Sequence, residues 1–282
     1  MRFLLILASL TFVLFANATP KTFKVTITGK GTPMVLIPGY ACSGEVWKET
    51  VDNFSGHYEC HVLTLAGFAG EPPVAEPSLT KVRDEIIEYV KEKHLEKSIL
   101  IGHSLGGEIA LWLASTAPSL FSKTIIVDAL PFYSLLYGPT ATVESSRPYA
   151  EMARTTTLNT TQTEASASGL LQMMITSPDK ISAAAKWSLA SDKTTMAQYI
   201  YELMTTDLRT ELSKIQSPIL VLGSWTASQA YGGTKESQEK SYKEYYKNAP
   251  QCTVQFAETA KHFIMFDDPK WFFAEIEKFL QK

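Results

Sequence analysis

The sequence is poor in the residues that build metal centres and disulfide frameworks. Its 282 residues include 3 cysteines and 5 histidines. Cys42, Cys60 and Cys252 lie far apart, without the close pairs typical of metal ligands, and an odd number cannot all be bridged within one chain. We therefore expect no metal site and mostly free, buried thiols, although an oxidising compartment would permit one disulfide.

An excess of positive charge is also missing. The chain has 26 Lys and Arg against 29 Asp and Glu, a formal net charge of −3, which argues against a nucleic-acid partner. After the N-terminal segment, no stretch approaches the roughly 20 apolar residues needed to span a bilayer. With 45% hydrophobic residues, the chain has enough apolar material for the core of one large domain.

The N-terminal segment has the pattern of a secretory signal peptide. Arg2 precedes an apolar run that ends at Phe15, and Ala16-Asn17-Ala18 follows as an Ala-x-Ala cleavage site. The pattern predicts a signal peptide over residues 1–18; an uncleaved anchor is less favoured because the run is short for a bilayer. We therefore expect an exported protein, periplasmic or secreted, with no stable membrane insertion once this segment is removed.

Short β-branched runs alternate with amphipathic stretches along most of the chain. The alternation predicts a mostly parallel central sheet with helices on both faces, an α/β fold. The predicted strands are 23–28, 34–38, 60–65, 98–102, 124–127, 218–222 and 253–256, and 79–93 and 236–246 are two of the predicted helices.

The alternation stops between about residues 130 and 210. This span has no convincing strand; it has helical stretches at 183–189 and 196–204 and a Ser/Thr/Ala-rich piece at 154–169. We predict a core formed by residues 19–130 and 210–282, with a helical cap at 131–209. A long insertion at the loop-bearing edge of a sheet covers a site more often than it adds scaffold, which is the alternative.

One short segment carries a specific chemical signal. Gly102-His103-Ser104-Leu105-Gly106 follows an apolar strand pattern and precedes a buried-helix pattern at 109–114. A serine between two glycines at such a junction is typical of a nucleophile elbow, in which the hydroxyl projects above the sheet. The segment therefore predicts that Ser104 is a nucleophile.

A serine nucleophile needs a base and a carboxylate that orients the base. His262 is the only histidine after Ser104 and follows the last predicted strand, which favours it as the base. No carboxylate directly follows the strand at 218–222, whereas Asp128 ends the strand before it. Asp128 is therefore the predicted acid; a turn-capping role for it, with Glu236 or Glu258 as the acid, is the alternative.

The developing oxyanion needs two preformed donors, which backbone N–H groups can supply. One is expected from Leu105, the residue after the nucleophile, and the other from Tyr40 in the loop after the strand at 34–38. Gly39 allows that loop to turn inward.

Together, Pro38-Gly39-Tyr40, the elbow, Asp128 and His262 resemble the α/β-hydrolase superfamily, over nearly the whole chain after the leader. The loop at 65–70 also resembles the small-residue loop of these proteins. Two features depart from the family pattern: Pro38 stands where many members have histidine, and the acid lies one strand earlier. The resemblance implies a fold that is shared by esterases, lipases, lactonases, aminopeptidases and C–C hydrolases. Membership of this superfamily alone does not determine which of these activities a protein has.

The residues favour hydrolysis of a small or medium, mainly apolar carboxylic ester or lactone through an acyl-enzyme on Ser104. Phe132, Tyr133 and Trp225 follow strand ends and are the candidate pocket residues. No evident cationic clamp for a charged substrate is present, and we expect a small-molecule substrate without metal or cofactor. Apolar cap residues could line the pocket or pack the core: Met173, Met174, Trp187, Met196, Tyr199, Tyr201 and Met204.

Two other functions remain open at this point. An aminopeptidase-like or other amide or C–C bond hydrolase would use acidic cap residues for a substrate ammonium group, and Glu151, Glu164 and Glu202 are available. A non-catalytic ligand-binding protein of the same fold would be expected to lack the nucleophile or the base. The sequence does not determine the oligomeric state.

Overall fold

Seven strands form one sheet in the computed structural model, which describes residues 22–229 and 232–281. The strands are β1 (Phe23–Gly29), β2 (Thr32–Ile37), β3 (Tyr58–Leu65), β4 (Ser98–His103), β5 (Phe121–Val127), β6 (Ile219–Ser224) and β7 (Cys252–Ala257). Their order is β1-β3-β2-β4-β5-β6-β7, with only the β1–β3 pair antiparallel among these seven. The predicted α/β fold with a mostly parallel sheet is confirmed. The predicted signal peptide lies outside the described residues.

The described residues also form eleven α-helices. They are α1 (Lys48–Phe54), α2 (Leu79–Glu92), α3 (Leu105–Thr116), α4 (Val143–Asn159), α5 (Glu164–Gln172), α6 (Pro178–Leu189), α7 (Lys193–Thr205), α8 (Thr226–Gln229), α9 (Lys235–Tyr245), α10 (Ile264–Asp267) and α11 (Pro269–Leu280). Within 22–229 and 232–281, none of them combines the length and apolarity needed to cross a bilayer.

The two faces of the sheet are covered by different helices. All six residues of β4 are buried, and successive side chains enter opposite cores: Leu100 packs with α2, α3 and α9, whereas Ile99 and Ile101 pack with α1, α10 and α11. A strand buried on both faces reads as a continuous apolar run. This burial explains why the 98–102 segment was recognisable, and it places the end of β4 at the centre of the sheet.

Four helices, α4 to α7, lie between β5 and β6, where the cap was predicted. The predicted helical stretches fall within α6 and α7. The Ser/Thr/Ala-rich piece at 154–169, which had no predicted element, is helical over most of its length: α4 continues to Asn159 and α5 begins at Glu164. Serine and threonine are weak helix formers, but both helices begin with a reciprocal capping box, Thr142 with Ser145 and Thr163 with Ser166.

The inner part of the cap is fastened to the core by main-chain hydrogen bonds. The Asp192 N–H donates to the Gly67 carbonyl (2.6 Å), and the Gly70 N–H donates to the Ala190 carbonyl (3.1 Å). On α7, the Glu202 carboxylate accepts the Leu79 N–H at the start of α2 (2.7 Å). The loop after β3 and the start of α2 therefore fix α7 above the sheet.

All three cysteines are free. Cys42 and Cys60 are buried, and burial raises the pKa of the Cys252 thiol to about 12. Thiols with such raised pKa values are protonated and unreactive at neutral pH.

A buried carboxyl group joins α3 to the entry of the cap. Glu108 is 2% exposed, the Tyr133 N–H donates to its carboxyl group, and its Oε2 has no hydrogen-bond partner in the described structure. Burial raises the pKa of Glu108 well above the ordinary value of 4.5, so the folded protein holds this proton at pH values at which the unfolded chain has begun to lose it.

We predict that Glu108→Gln makes the protein relatively more stable as pH rises. Above pH 4.5 the unfolded chain releases the Glu108 proton that the folded chain retains, so the folded state binds more protons and wild-type stability falls with increasing pH. Glutamine removes this contribution. In urea unfolding, the free energy of unfolding of the variant relative to that of wild type should increase from about pH 5 to about pH 8. If this difference in free energy stays constant over the range, the raised pKa of the buried carboxyl is contradicted.

Two glycines allow three backbone segments to meet at the end of β4. A Cβ atom on Gly102 would lie 2.1 Å from the Gly106 carbonyl oxygen, and one on Gly106 would lie 2.2 Å from the Ile37 carbonyl oxygen. Both distances are far below van der Waals contact, and the obstructing atoms are backbone. Any side chain at these positions must push β4, α3 and β2 apart.

We predict that Gly102→Ala lowers the free energy of unfolding by about 3 kcal/mol or more, because the added methyl group meets backbone that cannot yield. Gly169→Ala is the matched control, since a Cβ atom at this position in α5 has nothing within 4 Å. The control should be stabilised by about 0.5–1 kcal/mol through helix propensity. Urea unfolding measures both; equal stability of Gly102→Ala and wild type would refute the steric argument.

Candidate active site

Ser104 lies at the junction of β4 and α3 in a strained backbone conformation. Its φ of 53° and ψ of −121° are unusual for a residue with a side chain. Its N–H donates to the Val127 carbonyl (2.9 Å), and its own carbonyl accepts the N–H groups of Gly107 (2.8 Å) and Glu108 (3.1 Å). These bonds hold the strained turn in place, which is how such conformations persist at functional sites.

Asp128 and His262, which are 134 residues apart in sequence, are joined by a short hydrogen bond. The His262 Nδ1 lies 2.7 Å from Asp128 Oδ2, and both side chains are largely buried. Because a carboxylate only accepts, Nδ1 carries the proton in this bond. The neutral His262 ring then has an unprotonated Nε2, which is the arrangement required of a general base.

The Asp128 carboxylate is itself oriented by a second set of contacts. Its Oδ1 accepts the Ser224 N–H (2.8 Å) and the Tyr242 hydroxyl (3.3 Å), while its own N–H donates to the Leu222 carbonyl (2.8 Å). Burial, together with the nearby Asp128 charge, raises the pKa of Tyr242 well above 10, so this phenol stays a donor. Oδ1 is thereby committed to β6 and α9, and Oδ2 is left for His262.

His262 reaches Asp128 because the loop after β7 folds back over the end of β6. The hydroxyls of Ser224 (2.8 Å) and Thr226 (3.1 Å) both donate to the Ala260 carbonyl in that loop. Strands lie about 4.8 Å apart, so β7 is about 14 Å from β4, three strands away. The loop has to span this distance to bring the base toward the nucleophile.

The two alternative acids lie elsewhere. Glu236 is in the first turn of α9 and is exposed. Glu258 is 69% exposed and forms an ion pair with Lys235. Of the three carboxylates considered from the sequence, Asp128 is the one that contacts His262.

The hydroxyl of Ser104 has no hydrogen-bond partner among the described residues. Catalytic hydrogen bonds are often loose in the resting enzyme and shorten when substrate is positioned. The serine–histidine contact is therefore expected to form with substrate present.

Two backbone N–H groups, those of Leu105 and Tyr40, lie in segments that border Ser104 and have no acceptor in the part of the chain described. The N–H of Leu105 opens α3, where the first N–H groups of a helix have no intrahelical partner. Gly39 brings the second segment close: a Cβ atom there would lie 3.3 Å from Ser104 Cβ. Tyr40 follows immediately, so both predicted donors, Tyr40 and Leu105, belong to segments that border the nucleophile.

The Tyr40 side chain connects this loop to the cap. Its hydroxyl donates to the Met196 carbonyl in α7 (2.9 Å), and its ring packs edge-on against Phe68 (5.5 Å between centroids). Burial raises the pKa of Tyr40, so the hydroxyl remains protonated. The loop that supplies one predicted oxyanion donor is therefore braced by the cap.

The three predicted pocket residues differ in their surroundings. Phe132 is fully buried, and the Arg209 guanidinium lies 5.1 Å from its ring centroid, so it packs the core and presents no surface to a ligand in this structure. Tyr133 and Trp225 are half-buried. The indole N–H of Trp225 is buried and donates to no acceptor in the described structure.

Most apolar cap residues serve packing. Met196, Tyr199 and Met204 are buried in α7, and Tyr199 packs against Phe68 (5.5 Å between centroids). Met173 is 63% exposed. Met174, Trp187 and Tyr201 are half-buried. In α7, the inner helix of the cap, the buried apolar residues therefore pack the core and do not line a pocket.

Sequence reasoning did not identify Ser224 and Tyr242, the two donors that hold Asp128. Neither carries a motif: Ser224 acts through its main-chain N–H, and Tyr242 reads as one apolar position of α9. Within the described residues, no group of three His, Cys, Asp or Glu side chains could hold a metal ion.

Comparison with protein families and curated sequences identifies the proteins that this chain resembles. A family model described as an alpha/beta hydrolase family matches residues 34–275. The chain is 33% identical over 110 residues to a pimeloyl-[acyl-carrier protein] methyl ester esterase of Aliivibrio fischeri, covering 39% of this chain and 41% of that protein. A Vibrio campbellii esterase of the same name is 31% identical over 106 residues, 38% of this chain and 40% of that protein. The match thus spans about two fifths of the length of these relatives.

Solved structures show the same fold at low sequence identity. The chain aligns with the enol-lactonase of Burkholderia xenovorans at a TM-score of 0.73 and 17% identity, covering 92% of this chain and 96% of that one. An esterase of Exiguobacterium antarcticum gives a TM-score of 0.71 and 18% identity, with the same coverage. Since the family model matches well over half of the residues of this chain, the chain belongs to the alpha/beta hydrolase family.

Proposed function

We propose that this protein is an exported serine hydrolase that cleaves a small or medium, mainly apolar carboxylic ester or lactone through an acyl-enzyme on Ser104. The observation that carries the proposal is the 2.7 Å contact between His262 Nδ1 and Asp128 Oδ2, at the same sheet edge as the strained Ser104. This pair supplies an oriented base, which a serine hydroxyl needs at neutral pH.

In the first half-reaction, Ser104 Oγ attacks the acyl carbon while His262 Nε2 takes the hydroxyl proton. The N–H groups of Tyr40 and Leu105 stabilise the oxyanion, and Asp128 stabilises the imidazolium. The C–O bond of the ester then breaks, and the alcohol leaves with the proton from His262. In the second half-reaction, His262 takes a proton from water, the resulting hydroxide attacks the acyl-enzyme, and the carboxylic acid is released as Ser104 regains its proton.

The ester or lactone preference has two sources of support. The matched curated proteins are named methyl ester esterases, and the similar solved structures include an enol-lactonase and an esterase. In this chain, Tyr133 and Trp225 are half-buried aromatic residues beyond β5 and β6, which suits an apolar acyl or alcohol group. Export rests on the sequence pattern of residues 1–18.

The acidic residues that an aminopeptidase would need are committed elsewhere or exposed. Glu202 accepts the Leu79 N–H (2.7 Å) and a hydrogen bond from Gln198 (2.6 Å). Glu151 pairs with Arg154 on the exposed side of α4, and Glu164 is exposed in the first turn of α5. The amide alternative therefore gains no support from the cap.

We predict that Ser104→Ala abolishes hydrolysis of p-nitrophenyl esters by the mature protein, because no other described group replaces the nucleophile. In a series of esters with different acyl chain lengths, the rate of hydrolysis should be highest for short or medium chains. The chain length at the maximum indicates the size of the acyl pocket. The variant also controls for a contaminating esterase. Equal, negligible rates in wild type and variant would favour a narrow non-ester substrate or a binding role.

We predict that Asp128→Asn lowers kcat by about 10²- to 10⁴-fold, because the amide can no longer hold the His262 tautomer. Glu258→Gln is the matched control: it removes an exposed carboxylate near the same loop and should leave kcat within about twofold of wild type. Steady-state kinetics on one p-nitrophenyl ester decides the assignment. Near wild-type kcat in Asp128→Asn would move the acid role to another carboxylate.

A further inference from the structure

His103, the residue before the nucleophile, has no part in the proton transfers described above, yet it lies between the parts of the site. It is the last residue of β4 and is fully buried. Its ring centroid is 4.6 Å from that of His262 and 4.5 Å from that of Phe263, and Trp47 meets it edge-on at 6.5 Å. His103 therefore contacts the loop that carries the catalytic base.

One hydrogen bond determines the tautomer of His103. Its Nε2 lies 3.1 Å from the backbone carbonyl oxygen of His262. Because a carbonyl oxygen only accepts, Nε2 must carry the proton and donate it. The other nitrogen, Nδ1, is buried with no hydrogen-bond partner in the described structure, and a Cβ atom on Gly39 would lie 2.8 Å from it.

A second proton on Nδ1 would have no acceptor in this environment. Burial and the neighbouring His262 ring lower the pKa of His103 well below 6.5, in agreement with a ring that stays neutral. His262 is the titratable group that contacts the ring; Trp47, Phe263 and Gly39 supply its other named contacts. His103 is thus a fixed donor and is unsuited to act as a second base.

Two hydrogen bonds therefore hold His262, one at each end of the residue. Asp128 binds the ring at Nδ1 (2.7 Å), and His103 binds the main-chain carbonyl (3.1 Å). The bond at Nδ1 fixes the ring, and the Ser224 and Thr226 hydroxyls hold the loop two residues earlier, at the Ala260 carbonyl. The second contact locates the main chain, and it comes from the residue covalently joined to Ser104.

We propose that His103 is a positioning residue that sets the place of the catalytic base relative to the nucleophile through its Nε2–H bond to the His262 carbonyl. The proposal rests on the proposed hydrolase function. Since Ser104 and His103 are adjacent at the end of β4, any displacement of that strand end moves the nucleophile and the anchor of the base together. The bond thereby ties the main chain of His262 to the strand end that carries Ser104, so that substrate has less conformational freedom to remove when the serine–histidine contact forms.

Three substitutions separate the hydrogen bond from the packing. In His103→Gln the amide nitrogen can occupy the position of Nε2 and donate to the same carbonyl. In His103→Asn the amide nitrogen corresponds to Nδ1 and falls short of it, and His103→Met fills the space without a donor. We expect His103→Gln to retain kcat within about threefold of wild type, and Asn and Met to lose about 10- to 100-fold with little change in KM.

A spectroscopic readout keeps the test independent of substrate. The low-field proton resonance of His262 Nδ1–H, hydrogen bonded to Asp128, should persist in wild type and His103→Gln and should broaden or vanish in Asn and Met. Thermal unfolding checks that each variant is folded. If the Met variant does not fold, the Gln and Asn pair, both amides, decides.

Two results would overturn the proposal: wild-type kcat and resonance in the Asn or Met variant, or a loss in Gln as large as in Met. If the wild-type protein cleaves no ester, the proposed function fails, but the resonance comparison still tests whether His103 holds the base.

Discussion

The crowding of three backbone segments at the end of β4 is the constraint on which the site depends. Gly102, Gly106 and Gly39 each stand where a Cβ atom would meet other atoms at or below about 3 Å, the first two against backbone. This approach allows β4 to enter α3 through a single strained residue, and that residue is Ser104. It also brings the segments of Tyr40 and Leu105, the two proposed oxyanion donors, next to Ser104, the proposed nucleophile.

The positions of the proposed acid and base are determined by the order of strands. Asp128 ends β5, next to β4, whereas His262 follows β7 at the edge of the sheet. The base can only reach the nucleophile if its loop crosses β6, and Ser224 contributes twice to this crossing. Its hydroxyl holds the loop at Ala260, and its N–H holds the carboxylate that receives the histidine.

The sequence predicted the features that depend on local pattern. The seven strands were recognisable from their β-branched and apolar runs, which are continuous where a parallel strand such as β4 is buried on both faces. Ser104 was recognisable because its flanks are a strand and a helix. Helices α4 and α5 were harder, since serine and threonine disfavour helices and the capping boxes that start them lie outside the periodic pattern. Phe132 was placed in the pocket on its position after a strand, although Arg209, 77 residues later, covers its ring.

Features that depend on contacts distant in sequence could not be predicted. Ser224 and Tyr242 act on Asp128 from two further elements, and His103 acts on a carbonyl 159 residues away. None of these roles requires a particular spacing or a motif. These contacts form when the sheet brings strand ends together. The pattern of one sequence does not show which residues will meet there.

The two contacts of Ser224 also restrict which residue position 224 can hold. The main-chain N–H of Ser224 binds the Asp128 carboxylate, and its hydroxyl donates to the Ala260 carbonyl. An aspartate at position 224 would keep the first contact but would replace the hydroxyl donor with a carboxylate, which cannot donate to a carbonyl oxygen. A serine at the end of β6 thus holds both the loop after β7 and the carboxylate at the end of β5, and a residue with an acidic side chain could do only the second.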